Sequence, residues 1–316
     1  MNNRRFEIND ARRSQVPMLI GIAGPSWSGK TFSALRLASG IAKVNQGPIV
    51  YIDTEGRRAL HYADEFKFKH LPFSEPYGSL DYVAAIDAAL DSKPAVIVVD
   101  SASHEHEGTG GYLDLANKEL ESGKKEGQHW SKPSVARRRL LSRIQTLPCS
   151  AVFCFRAKDS LDWKKVFSKQ AKSPPPMGET IVGTADFSFE MTVRFLLHAG
   201  SQGVPTWQTD LSGEKAAIKL PKQFTGLFAG APRQLTESDG EAMARWALGE
   251  SPQGAKLEKT ITDAELDEIG AHMLEAFDMK ALAALRSSLR GVTLTDDQTD
   301  YISSKYQTRK RELETA

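Results

Sequence analysis

The chain has 316 residues, of which 40% are hydrophobic and 26% charged, a composition that is typical of a globular protein and excludes a largely disordered one. Its formal net charge at pH 7 is only +1, so no overall electrostatic field draws it to nucleic acid or to a membrane, and such binding must depend on local patches. No apolar stretch has the length of a membrane span, and the first fifteen residues lack the apolar core of a signal peptide, so we expect a cytoplasmic protein with no membrane partner.

The first predicted strand, at residues 17–23, leads directly into the sequence Gly-Pro-Ser-Trp-Ser-Gly-Lys-Thr. Apolar residues then recur at helical spacing from Thr31 to Val44, which predicts a helix. The pattern G-x-x-x-x-G-K-[ST] between a strand and a helix is the phosphate-binding P-loop, whose backbone N–H groups converge on a polyphosphate. We expect Lys30 to lie along the β- and γ-phosphates and the Thr31 hydroxyl to bind Mg²⁺. The predicted nucleotide-binding residues are Gly24, Pro25, Ser26, Trp27, Ser28, Gly29, Lys30, Thr31 and Phe32.

Further apolar runs predict an alternation of strands and helices after the P-loop helix. Continuous β-branched runs suit a parallel sheet that is covered on both faces. The order of these elements predicts an α/β doubly wound core. The predicted elements are a strand at 49–52, an edge segment at 66–72, a helix at 80–92, a strand at 95–99, a helix at 135–146 and a strand at 151–155.

Two acidic residues follow strands at the edge where a doubly wound sheet binds its ligands. Asp100 ends the strand at 95–99, and a carboxylate there holds Mg²⁺ opposite Thr31; the alternative is that it only caps the next turn. Glu55 follows the strand at 49–52, where a carboxylate can deprotonate the attacking water; the alternative is a solvated loop acid. A P-loop alone leaves kinases, GTPases, helicases and recombination ATPases open, but no guanine-specifying N-K-x-D sequence follows, which weakens the GTPase hypothesis.

The composition changes after Arg156. Residues 157–186 are polar and basic and predict a long loop, while residues 187–197 alternate apolar and polar side chains and predict a half-exposed antiparallel strand. The remaining predicted elements are strands at 206–210 and 216–220, a helix at 240–248, a linker at 251–254, a helix that begins at the capping box of Thr262 and Glu265, and helices at 279–290 and 296–312.

Cations and aromatic side chains interleave in residues 156–172. Six cationic side chains against two acidic ones give this segment a local charge of about +4. Positive charge with aromatic stacking platforms is what sequence-independent binding of single strands uses. The alternative is a solvated loop whose aromatic side chains pack on the core. The candidate DNA-binding residues are Lys158, Trp163, Lys164, Lys165, Phe167, Lys169 and Lys172.

Two other motifs support weaker hypotheses. The sequence His-Glu-His-Glu at 104–107 contains metal-ligating residue types, but no third ligand follows at a useful spacing. The three arginines at 137–139 are interpreted as the exposed face of a helix, with phosphate contact as the less favoured alternative.

Four segments stand in a characteristic order and spacing: GPSWSGKT at 24–31, YIDTEG at 51–56, VIVVDS at 96–101 and AVFCFRAK at 151–158. Together they resemble the RecA-like recombinase core. More narrowly, residues 17–250 look similar to phage-encoded RecA-like, AAA-family ATPases of single-strand annealing and recombination.

This resemblance implies roles for individual residues. It implies that Glu55 is the catalytic base, that Asp100 is the Walker B carboxylate and that Arg156 senses the γ-phosphate. Bacterial RecA has glutamine at the position of Arg156. An arginine or lysine there is a candidate arginine finger on the γ-phosphate of a neighbouring subunit, with Lys158 as the second candidate. The predicted catalytic residues are therefore Glu55, Lys30, Arg156 and Lys158, and the predicted Mg²⁺ ligands are Thr31 and Asp100.

The resemblance also implies the organisation and function of the chain. We expect an α/β fold, a RecA-like P-loop NTPase core with a mainly parallel sheet and an antiparallel extension, plus a small C-terminal helical domain. The expected domains are a polar arm at 1–16, the ATPase core at 17–250, a linker at 251–260 and a helical tail at 261–316.

The expected function is ATP- and Mg²⁺-dependent binding of single-stranded DNA by a ring or filament of identical subunits in the cytoplasm of a bacterial host. A phage annealing or single-strand-binding protein is the expected further partner. Two other functions stay open: a ring-shaped helicase or motor, and a nucleotide-controlled protein-binding switch without DNA contact.

Overall fold

The computed structural model of the chain describes residues 10, 16–162, 165, 167–168, 173, 175–183, 185–250, 259–260, 263–289, 292–293 and 296–315. The chain divides into two compact units, residues 1–254 and residues 255–316. Within the described ranges, every helix is too short or too polar to span a lipid bilayer.

A seven-stranded sheet forms the centre of the first unit. Its strands lie in the order β3-β2-β4-β5-β1-β7, and β6 pairs with β5 beyond the end of the parallel sheet. Every pairing is parallel except that of β5 with β6. The predicted α/β class, with a mainly parallel sheet and an antiparallel extension, is therefore confirmed. The strands are β1 Leu19–Gly24, β2 Ile49–Asp53, β3 Lys69–Pro72, β4 Val96–Asp100, β5 Ser150–Leu161, β6 Pro176–Ile181 and β7 Val193–Leu196.

Helices cover both faces of this sheet, as the continuous apolar strand runs predict. On one face of the sheet, Ile52 and Val99 belong to a buried cluster that also contains apolar residues of the second and fifth helices. Successive strand residues point to opposite faces, and the first helix packs on the other face. The helices are α1 Lys30–Asn45, α2 Ser79–Leu90, α3 His104–Glu107, α4 Tyr112–Glu121, α5 Ser131–Gln145, α6 Ala185–Phe189, α7 Ser212–Ala217 and α8 Glu237–Ala247.

The first and last of these helices, α1 and α8, pack at unusually close range. A Cβ atom on Gly40 would lie 1.9 Å from the carbonyl oxygen of Glu237, and one on Gly240 would lie 2.1 Å from that of Leu37. Only glycine allows the two backbones to approach this closely. This contact fixes α1, and with it the loop that precedes α1.

The segment predicted as a long loop, residues 157–186, contains a β-hairpin instead. Strand β5 continues six residues beyond Phe155 and pairs antiparallel with β6, with Ala157 opposite Ile181 and Lys158 opposite Thr180. The loop prediction was wrong for residues 157–161 and 176–181, because this pairing depends on backbone hydrogen bonds between polar segments, which leave no apolar pattern in the sequence.

The segment predicted as a half-exposed antiparallel strand, residues 187–197, is also different. Its first part is helix α6, and its second part is β7, which is fully buried and runs parallel to β1. The alternation was misleading because one of its polar residues, Arg194, is itself buried and donates from Nη1 to Ser188 Oγ at 3.1 Å.

Neither of the two strands predicted next forms a regular ladder. Thr206 makes a single antiparallel bridge to Leu196, and Lys219 makes one to Arg194. Helix α7 ends at Ala217 and so occupies the first two residues of the segment predicted as the strand at 216–220. These two bridges cover the outer edge of β7. Their residues lie within the segments whose sequence predicted strands, but the pairing is limited to one bridge in each segment.

The described residues of the second unit form three helices, as predicted for the C-terminal region. Its buried apolar residues are Leu266, Met273, Ala276, Leu282 and Ile302. The predicted linker at 251–254 and the capping residue Thr262 lie outside the described residues. The elements are β8 Lys259–Thr260, α9 Asp263–Glu275, α10 Met279–Ser288, β9 Val292–Thr293 and α11 Asp296–Thr315, with β8 parallel to β9.

The interpretation of 137–139 as an exposed helix face was wrong for Arg137. Its side chain is 4% exposed, and Nε donates to Glu105 Oε1 at 3.1 Å, while the Glu105 side chain is 2% exposed. Arg138 and Arg139 are exposed on the same helix. Helix periodicity explains this, because three consecutive residues cannot all lie on one face of a helix.

Replacing Arg137 with methionine is expected to lower the free energy of unfolding by about 3 to 5 kcal/mol, because it leaves the buried Glu105 carboxylate without its partner. Urea unfolding checks this. The matched control is Arg139→Met, an exposed change on the same helix, for which we expect a change within about 0.5 kcal/mol. Equal effects of the two substitutions would contradict the buried ion pair.

Candidate nucleotide-binding and catalytic site

The P-loop connects the carboxyl end of β1 to the start of α1. Gly29 has a φ of +89°, and a Cβ atom there would lie 2.6 Å from the backbone nitrogen of Gly203. Lys30 begins α1, and its Nζ donates to the carbonyl oxygen of Pro25 at 2.7 Å, across the mouth of the loop. The first N–H groups of α1 therefore face the loop, which is the arrangement that binds phosphate.

A second loop supports the P-loop from behind. Gly203 N donates to the carbonyl oxygen of Ser28 at 2.9 Å, and Ser201 Oγ donates to the same oxygen at 3.3 Å. The sequence shows this segment only as a glycine-rich turn after β7. Its contact with the P-loop depends on the parallel pairing of β7 with β1, which was not predicted.

The two predicted Mg²⁺ ligands lie side by side. The Thr31 hydroxyl donates to Asp100 Oδ2 at 2.7 Å, and the Tyr51 hydroxyl donates to the same oxygen at 2.7 Å. Burial raises the pKa of Asp100, and the hydrogen bonds from Tyr51 and Thr31 partly oppose this. A hydroxyl and a carboxylate are oxygen ligands of the kind that Mg²⁺ prefers, so the donor set fits this ion.

The turn that carries Glu55 is held by a buried carboxylate. Asp53, at the end of β2, accepts hydrogen bonds from the backbone nitrogens of Glu55 at 2.8 Å and Ala59 at 3.3 Å, and His70 Nε2 lies 3.0 Å from it. Its side chain is fully buried. The position of Glu55 is therefore set by β2 and its edge partner β3.

The structure brings together the predicted catalytic residues Glu55 and Arg156. Arg156 donates to Glu55 Oε1 from Nη2 at 2.8 Å and from Nε at 3.1 Å. Arg58 Nη1 lies 3.6 Å from Glu55 Oε2. The Glu55 side chain is only 17% exposed, so it is not a solvated loop acid.

A second carboxylate, that of Glu107, joins Arg156 to the start of the hairpin. Glu107 Oε1 lies 3.6 Å from Arg156 Nη1, and its Oε2 lies 3.1 Å from Lys158 Nζ. Arg156 therefore lies between two acids of its own chain. A displacement of Arg156 would alter the contacts of Glu55 and those of the hairpin at the same time.

These residues surround one open cleft with a volume of about 1040 Å³, at the upper end of the range for small-molecule sites. The P-loop lines it from Pro25 to Thr31, whereas Phe32 packs against Tyr62, with ring centroids 5.8 Å apart. Trp27 is 92% exposed on the cleft's rim. The other lining side chains include Tyr51, Glu55, Arg58, His61, Tyr62, Asp100, Glu107, Arg156, Lys158 and Gln202.

Comparison with known protein families gives a match over residues 17–202 to a family described as an AAA domain. The matched segment covers more than half of the chain. The chain belongs to the AAA domain family. The AAA domain thus begins just before β1, includes every side chain that lines the cleft and ends in the loop that supports the P-loop.

The AAA domain has an α/β fold with a mainly parallel sheet and a P-loop between β1 and α1, and a P-loop ATPase family implies binding of nucleotide and usually of Mg²⁺. Among solved structures, the chain is similar to a KaiC-like protein from the hyperthermophilic archaeon Pyrococcus horikoshii OT3, at 15% identity and a TM-score of 0.28 over 48% of this chain and 72% of that chain. No curated protein matches the chain.

The predicted DNA-binding residues of the AAA domain are only partly described. Lys158 lies on β5 at the start of the hairpin, and Lys165 and Phe167 lie beyond β5, where Phe167 is 79% exposed. Trp163, Lys164, Lys169 and Lys172 lie outside the described residues.

Several residues of the AAA domain site were not singled out from the sequence. Tyr51 lies in the middle of β2. Its hydroxyl reaches Asp100 only because the pairing of β2 with β4 places Tyr51 opposite Val98. His104 and Glu107 were considered only as metal ligands, yet among the described residues no group of three or more His, Cys, Asp or Glu side chains is arranged to hold a metal ion. Their actual partners are Thr54, Glu55, Arg156 and Lys158.

Proposed function

We propose that this AAA domain protein is a Mg²⁺-dependent ATPase of the phage recombination and annealing type that binds single-stranded DNA and assembles as a ring or filament. The observation that carries the proposal is that a single cleft holds Lys30 of the P-loop, the hydrogen-bonded pair of Thr31 and Asp100, and the shielded carboxylate of Glu55. These are the parts that phosphoryl transfer to water requires.

Each of these residues has a defined task in the proposed reaction. Lys30 and the N–H groups at the start of α1 bind the phosphates. Thr31 and Asp100 hold Mg²⁺, which supplies charge neutralisation at the phosphates when it is bound. Glu55 accepts the proton of the attacking water, and Arg156 holds positive charge beside it.

The contacts of Arg156 favour a role at the site of its own subunit. It binds Glu55 of the same chain through two nitrogen atoms, and its side chain is 41% exposed. Lys158 is 66% exposed, and its ion pair is with Glu107 and not with Glu55. Lys158 is therefore the better candidate for reaching a neighbouring subunit in a ring or filament.

The hairpin supports the proposal of DNA binding. Strand β5 begins in the sheet, passes the cleft at Arg156 and continues to Leu161, and the exposed Lys165 and Phe167 follow it. Single-stranded DNA bound near Phe167 would thus lie on the same chain segment that passes the cleft at Arg156. Positive charge next to an exposed aromatic ring suits stacking and phosphate contact on single strands.

Measurement of ATP hydrolysis with and without DNA tests the proposal against its alternatives. Strong stimulation by single-stranded DNA supports it. Stimulation by duplex DNA with translocation along it would indicate a ring-shaped motor. Hydrolysis or binding of ATP that ignores both forms of DNA would indicate a nucleotide-controlled switch that binds a protein partner.

Replacing Lys164, Lys165 and Lys169 together with alanine is expected to weaken single-strand binding and to lower the slope of log affinity against log salt by up to about 2, since each lost phosphate contact removes about 0.7. Fluorescence anisotropy over a salt series checks this. The control removes the same charge from three exposed lysines: Lys118 on α4, Lys124 between the two helices and Lys132 on α5. Unchanged affinity in the first variant would show that the segment is a solvated loop.

A further inference from the structure

The first residue of α3, His104, lies between the end of β4 and the carboxylate of Glu55. Its Nδ1 is 2.7 Å from Thr54 Oγ1, and its Nε2 is 3.8 Å from Glu55 Oε1. The ring stacks on Tyr77 with centroids 4.9 Å apart and an interplanar angle of 27°. The imidazole is therefore held at both nitrogens and on one face, and its side chain is 12% exposed.

The hydrogen bonds around Thr54 favour one position for the proton of this ring. Ser101 N donates to Thr54 Oγ1 at 2.7 Å, and the Thr54 hydrogen has two acceptors within reach, His104 Nδ1 at 2.7 Å and the Ser101 carbonyl oxygen at 3.2 Å. Because that carbonyl oxygen already accepts a hydrogen bond from the Tyr82 hydroxyl at 2.7 Å, the shorter contact with Nδ1 takes the Thr54 hydrogen. On the other side of the ring, a carboxylate can only accept. The arrangement that satisfies both neighbours has the proton on Nε2, directed at Glu55.

A chain of donors thus links the Asp100 strand to Glu55. It runs from the Ser101 N–H to the Thr54 hydroxyl, from that hydroxyl to His104 Nδ1, and from the Nε2–H to Glu55 Oε1. The last separation is too long for a hydrogen bond in this structure. Catalytic hydrogen bonds are commonly long without substrate and shorten in the reacting complex.

His104 and Arg156 approach the same oxygen of Glu55, Oε1. Among the described residues, the ion pair formed by Oε2 is with Arg58, whose side chain is 75% exposed. We infer that His104 is a positioning residue that, together with Arg156, fixes Oε1 of Glu55 and leaves Oε2 to accept the proton of the attacking water. This inference rests on the proposed ATPase function and deepens it.

The charges around His104 are consistent with a neutral ring. Burial and the Arg156 guanidinium lower the pKa of His104 from 6.5, and the carboxylates of Glu55, Glu107 and Asp100 oppose this. The neutral form therefore persists to lower pH than in an ordinary histidine. Acidification to a pH below the lowered pKa of His104 would protonate the ring. The resulting positive charge beside Glu55 would make the Glu55 carboxylate a weaker proton acceptor.

Two amide substitutions separate positioning from folding. His104→Gln can place an N–H where Nε2 lies, whereas His104→Asn reaches only the position of Nδ1. We expect kcat to fall about tenfold or more in His104→Asn, with a smaller loss in His104→Gln and an unchanged Kd for Mg²⁺·ATP in both. The acidic fall in kcat that follows protonation of the ring should disappear in His104→Gln. The control is His106→Asn, on the same helix but directed at Arg137, for which we expect wild-type kcat.

Equal kcat values in the two amide variants, with the pH profile of the wild type, would overturn the role of His104 while leaving the ATPase intact. A wild-type protein that binds Mg²⁺·ATP and never hydrolyses it would instead overturn the proposed function. In that case the donor chain from Ser101 would have only a structural role, and the inference would fail with it. Thermal unfolding of each variant shows whether a loss of kcat reflects loss of the fold.

Discussion

Replacing Glu55 with glutamine is expected to lower the kcat for ATP hydrolysis by about 10²- to 10⁴-fold, the contribution of a general base, while Mg²⁺·ATP still binds. The physical reason is that an amide cannot accept the proton of the attacking water. Glutamine can still accept from Arg156 through its carbonyl oxygen, so the local contacts at Oε1 are largely preserved. Single-turnover hydrolysis measured beside equilibrium ATP binding checks both halves of this prediction.

The matched control for this substitution is Glu65→Gln, an exposed acid beyond the same turn. It should hydrolyse ATP at the wild-type rate. Normal turnover in Glu55→Gln would show that Glu55 is only an ion-pair partner of Arg156. Another group would then have to activate the water.

Replacing Lys30 with alanine is expected to weaken ATP binding by about 30- to 5000-fold, because truncating one partner of a buried charge pair costs roughly 2 to 5 kcal/mol. Lys30 is the P-loop side chain with a charge, and its Nζ lies across the loop mouth on the Pro25 carbonyl oxygen. A bound γ-phosphate would replace that oxygen as its partner. Titration of a fluorescent ATP analogue measures the effect.

Lys43→Ala is the control for this change, since Lys43 lies on the same helix and forms an exposed pair with Glu241 at 2.7 Å. It should bind ATP as the wild type does. ATP affinity that is equal in Lys30→Ala and Lys43→Ala would mean that the loop between β1 and α1 is not where phosphate binds.

The parts of the site that could be predicted are those encoded in short stretches of sequence. The P-loop is contiguous, and Asp100 and Glu55 each follow an apolar run that forms a parallel strand, so their meeting at one sheet edge follows from the α/β fold alone. The observed hydrogen bond from Thr31 to Asp100 is the direct result. The family resemblance implied a role for Glu55 and for Arg156 at the γ-phosphate, but their direct contact within one chain was not predicted. That contact depends on β4 lying between their strands.

The parts that could not be predicted depend on tertiary contacts between polar groups. Tyr51 looks like an ordinary strand residue until β2 and β4 are in register, and the histidine and glutamate at either end of α3 turn towards different partners. The β5–β6 hairpin and the buried Arg137 were missed for the same reason. Backbone pairing and buried ion pairs join residues far apart in sequence and leave no periodic apolar signal.

Titration calorimetry of ATP into the purified, folded protein, with and without Mg²⁺, tests the central claim most directly. That claim is that the loop between β1 and α1, with Thr31 and Asp100, binds a Mg²⁺·triphosphate. We predict one ATP bound per chain in the presence of Mg²⁺, with weaker binding when Mg²⁺ is removed by chelation. A folded protein that takes up no ATP in the presence of Mg²⁺ would contradict the claim.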